Sequence, residues 1–158
     1  MIARPILQLL LDGIWWARRE HVEAWEIAQT AARAVEEKKG YDIVILDISP
    51  VSLIADYFVI ASASNKIQME AIADNVEEQL AVCGESILHR EGRGTASWIL
   101  LDYGAVVIHI FREEARHFYA LERLWGDAPV HRLKDLTTGV NSAIMANVTS
   151  EHTSYDEE

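Results

Sequence analysis

The chain has 158 residues, half of them hydrophobic, and a formal net charge of -11, so one domain with a real core is expected and a disordered chain is excluded. The acidic balance excludes a protein that coats nucleic acid, which needs clustered Lys and Arg, but it suits a basic protein partner. The single cysteine, Cys83, excludes an intrachain disulfide and a cysteine-built zinc site, and makes the reducing cytoplasm the natural home.

Residues 1–21 read as an N-terminal extension. Their apolar run from Ile6 to Trp16 is broken by Gln8, Asp12 and Gly13, and it falls short of the roughly 20 apolar residues that cross a bilayer. Asp12 also interrupts any signal-peptide pattern, and no small-residue cleavage site follows. The segment reads as a short helix laid on the domain or as an over-called start, with Trp15 and Trp16 available for self-association. Helix one is expected from Val22 to Lys39. Trp25, Ala28, Ala32 and Val35 share a face at helical spacing, and Gly40 stands where a stop residue belongs.

Asp42 to Ile48 is a continuous β-branched run without alternation, which predicts a strand covered on both faces. Tyr57 to Ala61 predicts the next strand, after a loop that carries Asp56. Helix two is expected from about Lys66 to Cys83, capped by Ser64 or Asn65, with Gln68 placed as in a capping box. Its buried stripe is Met69, Ile72, Val76, Leu80 and Cys83, while Asp74, Glu77 and Glu78 face water. Ser86 to His89 is a short strand, and Glu91 to Thr95 a flexible loop.

Trp98 to Phe111 predicts two strands joined by a tight turn at Asp102-Tyr103-Gly104-Ala105. Strand alternation sends Trp98, Leu100 and Asp102 one way and Ile99, Leu101 and Tyr103 the other. Val106, Ile108 and Ile110 likewise oppose Val107, His109 and Phe111. Both faces are apolar, so the hairpin must be covered twice, by its own fold or by a partner. Arg112 to Trp125 reads as helix three, with Phe118, Leu121 and Trp125 on one face. Gly126 to Pro129 is expected to close the domain, and residues 130–158 read as a tail, expected to be partly disordered, that is acidic at its end. The fold class is therefore α/β with α+β character: a single domain, a mixed sheet of about five strands and about three main helices. Strand two, helix two and the following strand can make a right-handed crossover, and some apolar sheet near the hairpin is left for a partner.

Candidate chemistry is sparse. None of the six histidines has the i, i+4 spacing of a helical metal site, and His109, flanked by isoleucines, reads as a hydrogen-bonded core histidine. Asp47, Asp56 and Asp102 stand at strand ends, where carboxylates hold magnesium or simply form turns. There is no G-x-S-x-G motif, Gly92-x-Gly94 carries no GK[ST], and Cys83 on a buried stripe reads as inert. No catalytic residue, metal or cofactor is expected, which favours a binding module. Trp98, Asp102 and Tyr103 lie on one hairpin arm with Arg93 just before it, a grouping that fits a recognition surface as well as a core.

DIVILDIS, ADYFVIASASN, ADNVEEQL, WILLDYGAVVIHIF and FYALERLWGDAP, in this order, closely resemble the ribosomal silencing factor (RsfS, or iojap) family over residues 22–129. The resemblance implies a nucleotidyltransferase-like fold without catalysis. It also implies a homodimer, and binding to the fourteenth protein of the large ribosomal subunit. Bound there, family members block joining of the small subunit and lower translation when nutrients are scarce. Carried onto this chain, the partner-binding surface would comprise Trp98, Leu100, Leu101, Asp102 and Tyr103, with Arg93, Asp56 and Tyr57 as accessory positions. Ala105 stands where the family often has Asp after the DYG turn. Two other readings compete. One is an active nucleotidyltransferase-like enzyme using Ser62 and Ser64 at the entry to helix two, although ASASN lacks that fold's Gly-Ser pair. The other is a purely structural oligomerisation domain. No membrane and no sequence-specific nucleic-acid partner is expected.

Overall fold

The structure, a computed structural model, describes residues 23–134. The expectations for the N-terminal extension, and for the tail beyond residue 134, lie outside the described residues. Helix α1 covers residues 23–37 and buries Ala24, Ala28, Ala31, Ala32, Ala34 and Val35. Its alanine face lets the helix axis approach the sheet closely. The chain leaves the helix through Lys39 at φ 64°, one residue earlier than the expected stop. Gly40 serves space instead, since a methyl group there would stand 2.3 Å from Val35 Cγ1.

The strands are β1 (Tyr41–Asp47), β2 (Tyr57–Ala63), β3 (His89–Glu91), β4 (Trp98–Asp102), β5 (Val106–Arg112) and β6 (Val130–Arg132). They form one mixed sheet in the order β3-β4-β5-β2-β1-β6. β2 and β5 are parallel, and the other neighbouring pairs are antiparallel. Every residue of β2 is buried, and every residue of β5 except Arg112, as befits a central pair covered on both faces. The sheet is mixed as expected and has six strands where about five were expected. The extra one, β6, begins just past Pro129 and pairs with β1, so the sheet extends beyond the boundary expected there. Its three residues are too few to show a period. The Ser86–His89 strand is displaced to His89–Glu91. β3 runs parallel to β2, as a crossover requires, but lands beyond β5 and β4, at the sheet edge.

Helix α2 (Lys66–Val82) lies beside α1 on one face. Asn65 caps it by accepting the Gln68 N–H at 2.9 Å, and Gln68 Oε1 accepts the Ser64 N–H at 2.8 Å. The Gln68 amide also donates to the Lys38 and Lys39 carbonyls at 3.1 and 2.9 Å, tying the end of α1 to the start of α2. Met69, Ile72, Val76 and Leu80 are buried as expected. Cys83 is not: it sits at the C-cap and is exposed, because the helix ends before the stripe reaches it. Two of the carboxylates expected to face water, Asp74 and Glu77, bind Arg90 together with Glu70, at 3.0, 2.7 and 2.5 Å.

The opposite face carries α3 (Glu113–Tyr119) and α4 (Leu121–Leu124). The single helix expected from Arg112 to Trp125 is broken at Ala120, which adopts φ 44°, ψ 53°. The break lets Glu122 fold back onto Arg116, whose guanidinium donates to it at 2.6 and 2.9 Å and to Ser62 Oγ at 2.8 Å.

Candidate functional site

Coverage of the two faces is unequal. Under α1 and α2 lies the larger core, which includes Ile45, Val59, Ile99, Leu101, Ile108 and Ile110. On the other side α3 packs against β5 and β2, over Phe58, Ile60, Phe111 and Ala115. Towards β4 and β3 the cover thins: Trp98, Leu100 and Asp102 are half-buried, and His89 and Glu91 on β3 are exposed.

Trp98 is held from several sides. Its indole stacks on Phe111 at 4.9 Å and meets Tyr119 of α3 at 4.7 Å. Its Nε1–H donates to His109 Nδ1 at 3.2 Å. His109 itself is 4% exposed, as expected of a core histidine, and burial pushes its imidazole down to about 4. The ledge continues onto the helices. Phe118 packs edge-on to Tyr119 at 5.1 Å, and Tyr119 and Leu124 line one shallow hollow. Phe118 is 81% exposed and Leu124 73%, so these apolar groups face solvent beside Tyr119.

The residues expected to share one surface are divided by strand alternation. Trp98, Leu100 and Asp102 lie on the thinly covered face. Leu101 and Tyr103 are buried on the α2 side, where burial first, then Glu77, raises the Tyr103 phenol to about 12. Asp102 Oδ1 accepts the Gly104 N–H at 2.8 Å, so this carboxylate also shapes the turn. Arg93 is exposed in the β3–β4 loop. The Asp56 N–H donates to the Ala105 carbonyl at 2.8 Å, and the Asp56 carbonyl accepts from Ile48 and Ser49, which fastens the β1–β2 loop to the hairpin turn. Tyr57 is buried against Trp25, with ring centroids 5.3 Å apart, away from the ledge.

Phe118, Tyr119 and Leu124 were missed by sequence reasoning. Phe118 shares helical spacing with Leu121 and Trp125, which made it look buried, but the break at Ala120 puts it on another side. Ser62, one of the two serines of the transferase-like reading, is 1% exposed and its Oγ accepts from Arg116. Ser64 is exposed at the entry to α2. Among the described residues no group of three or more His, Cys, Asp or Glu side chains is arranged to hold a metal ion. Among them, too, no helix is long and apolar enough to cross a membrane.

Comparison with known proteins converges on one family. The family model described as "Ribosomal silencing factor during starvation" matches residues 21–157. The chain is 42% identical over 115 residues to the ribosomal silencing factor RsfS of Bacillus subtilis, covering 73% of this chain and 95% of the relative. It is 32% identical to the chloroplastic Iojap protein of Zea mays, covering 69% of this chain and 47% of that protein. Among solved structures, a Chromobacterium violaceum protein matches with a TM-score of 0.63 and 34% identity, over 65% of this chain and 85% of its own. A Bacillus halodurans protein matches with a TM-score of 0.61 and 36% identity, over 69% and 99%.

Proposed function

The chain belongs to the RsfS family of ribosomal silencing factors, and from that premise we propose how it acts. It binds the large ribosomal subunit in the cytoplasm, at the subunit's fourteenth protein, and so sterically blocks joining of the small subunit when nutrients are scarce. Trp98, Leu100 and Asp102, extended by Tyr119 and Phe118, make the contact. No bond is made or broken.

The observation that carries this reading is the aromatic ledge left half-covered on a chain of net charge -11. Apolar contacts on the ledge supply affinity, and the acidic surface speeds encounter with a basic ribosomal protein. Leu101 and Tyr103 support the ledge from behind. The same apolar surface also suits pairing of two copies, and light scattering with and without large subunits separates the two uses.

Sedimentation with purified ribosomal subunits tests the proposal. The protein is expected to travel with large subunits and to reduce their joining to small ones. Trp98→Ala and Leu100→Glu should each weaken binding while the domain stays folded. A folded double variant that sediments with large subunits as well as the parent would refute the surface. Calorimetry with nucleoside triphosphates and magnesium addresses the enzyme reading, which saturable binding would revive.

A further inference from the structure

We infer that His109 is a positioning residue: through its Nδ1 it fixes the orientation in which the Trp98 indole is presented to the ribosomal partner. The inference rests on the docking surface proposed above. Position 109 lies between Ile108 and Ile110 on a strand whose other members, before Arg112, are apolar and buried. An aliphatic side chain would fill it with no polar atom to satisfy. Indole nitrogen is a donor only, so the 3.2 Å contact with Trp98 makes Nδ1 the acceptor and places the neutral ring's proton on Nε2. That Nε2 is buried, with no hydrogen-bond partner among the described residues. Phe58 stands edge-on to the imidazole at 4.7 Å. Among the described residues, a histidine here therefore carries a buried N–H without an acceptor, and its one hydrogen bond goes to Trp98.

That bond supplies what packing cannot. Phe111 and Tyr119 pin the indole's plane, but ring contacts tolerate rotation and sliding within the plane. A directional hydrogen bond selects one edge. With the nitrogen edge turned inward to His109, the indole's remaining edge is the part available at the ledge.

The test combines large-subunit affinity with nuclear magnetic resonance. His109→Phe keeps the ring and removes the acceptor. It should weaken large-subunit binding about five-fold, the worth of one hydrogen bond, and shift the Trp98 indole N–H resonance. His109→Asn, which offers an oxygen near the Nδ1 position, should recover most of the affinity. In a Trp98→Phe background, His109→Phe should change affinity no further. An equal loss in both backgrounds, or a folded His109→Phe protein with unchanged affinity, would overturn the inference. Imidazole nitrogen shifts in the unaltered protein give a check that needs no variant: a proton found on Nδ1 would also overturn it. If Trp98→Ala leaves binding untouched, the docking surface itself falls, and the inference with it. If Trp98→Ala weakens binding but His109→Phe does not, only the inference falls.

Discussion

Gly92 passes so close beneath Trp98 that a methyl group on it would stand 2.0 Å from the Trp98 carbonyl oxygen. The loop from β3 to β4 thus presses directly on the backbone of the ledge. Gly92 also holds φ +91°, which side chains rarely adopt. Gly92→Ala should destabilise the domain by about 2–4 kcal/mol, combining overpacking with backbone strain. Gly94 has φ +78° but nothing within 4 Å, so Gly94→Ala should cost only about 1–2 kcal/mol. Urea denaturation of the two variants reads the difference.

Phe118 is mostly exposed, so its loss should spare the fold and tax the ledge. Phe118→Ser should alter stability by no more than about 0.5 kcal/mol. It should nevertheless weaken large-subunit binding in sedimentation. Unchanged binding would remove Phe118 from the contact.

Arg90 ties β3 to α2 with its side chain 11% exposed among Glu70, Asp74 and Glu77. Arg90→Met leaves three carboxylates close together without their cation. A loss of about 2 kcal/mol is expected. Raising the salt concentration should recover part of it by screening the carboxylates. Denaturation at low and high salt measures both effects.

His109 makes folding stability sensitive to acid. Burial lowers its imidazole from 6.5 to about 4, so between those values the unfolded chain binds a proton that the folded chain refuses. Its contribution is intact above pH 6.5 and is lost as pH falls towards 4, to a total of about 3 kcal/mol. Urea midpoints taken from pH 7 to 4 should fall, and in His109→Phe they should fall less steeply.

Ala120 divides α3 from α4 at a left-handed backbone position. Glycine adopts that conformation without the Cβ clash, so Ala120→Gly should stabilise the domain by about 0.5–1 kcal/mol. Ala120→Val should destabilise it by about 1 kcal/mol or more. Thermal unfolding of the pair distinguishes them, and a variant order opposite to this would show that the break is not strained.

Much of the fold was legible because the signals were local. The hairpin's two faces followed from alternation, and the β1 and β2 runs announced buried strands. Asn65 and Gln68 announced the start of α2. The candidate site was legible only in part. WILLDYG is continuous in sequence, so its residues were grouped together, but a strand sends neighbours to opposite faces. Leu101 and Tyr103 therefore went to the core, and Trp98 and Leu100 to the ledge. Arg90 gave no signal, because its three carboxylates come from a helix 13 to 20 residues away. Nor did the turn at Ala120, since alanine favours helix and the contacts that accompany the break, such as those of Arg116 with Glu122 and Ser62, come from elsewhere in the chain.

Which residues oppose one another across each strand, and which family the ordered motifs belong to, can be read from the amino-acid order. Those properties reside in backbone geometry and in short runs of residues. Tertiary structure alone decided which side of the sheet stays thinly covered. That depends on where distant helices land: α2, with α1 beside it, packs over β2, β4 and β5 from one side, and the short α3 reaches only β5 and β2 on the other. Exposure is a sum over contacts from far along the chain, and no window of neighbouring residues contains it.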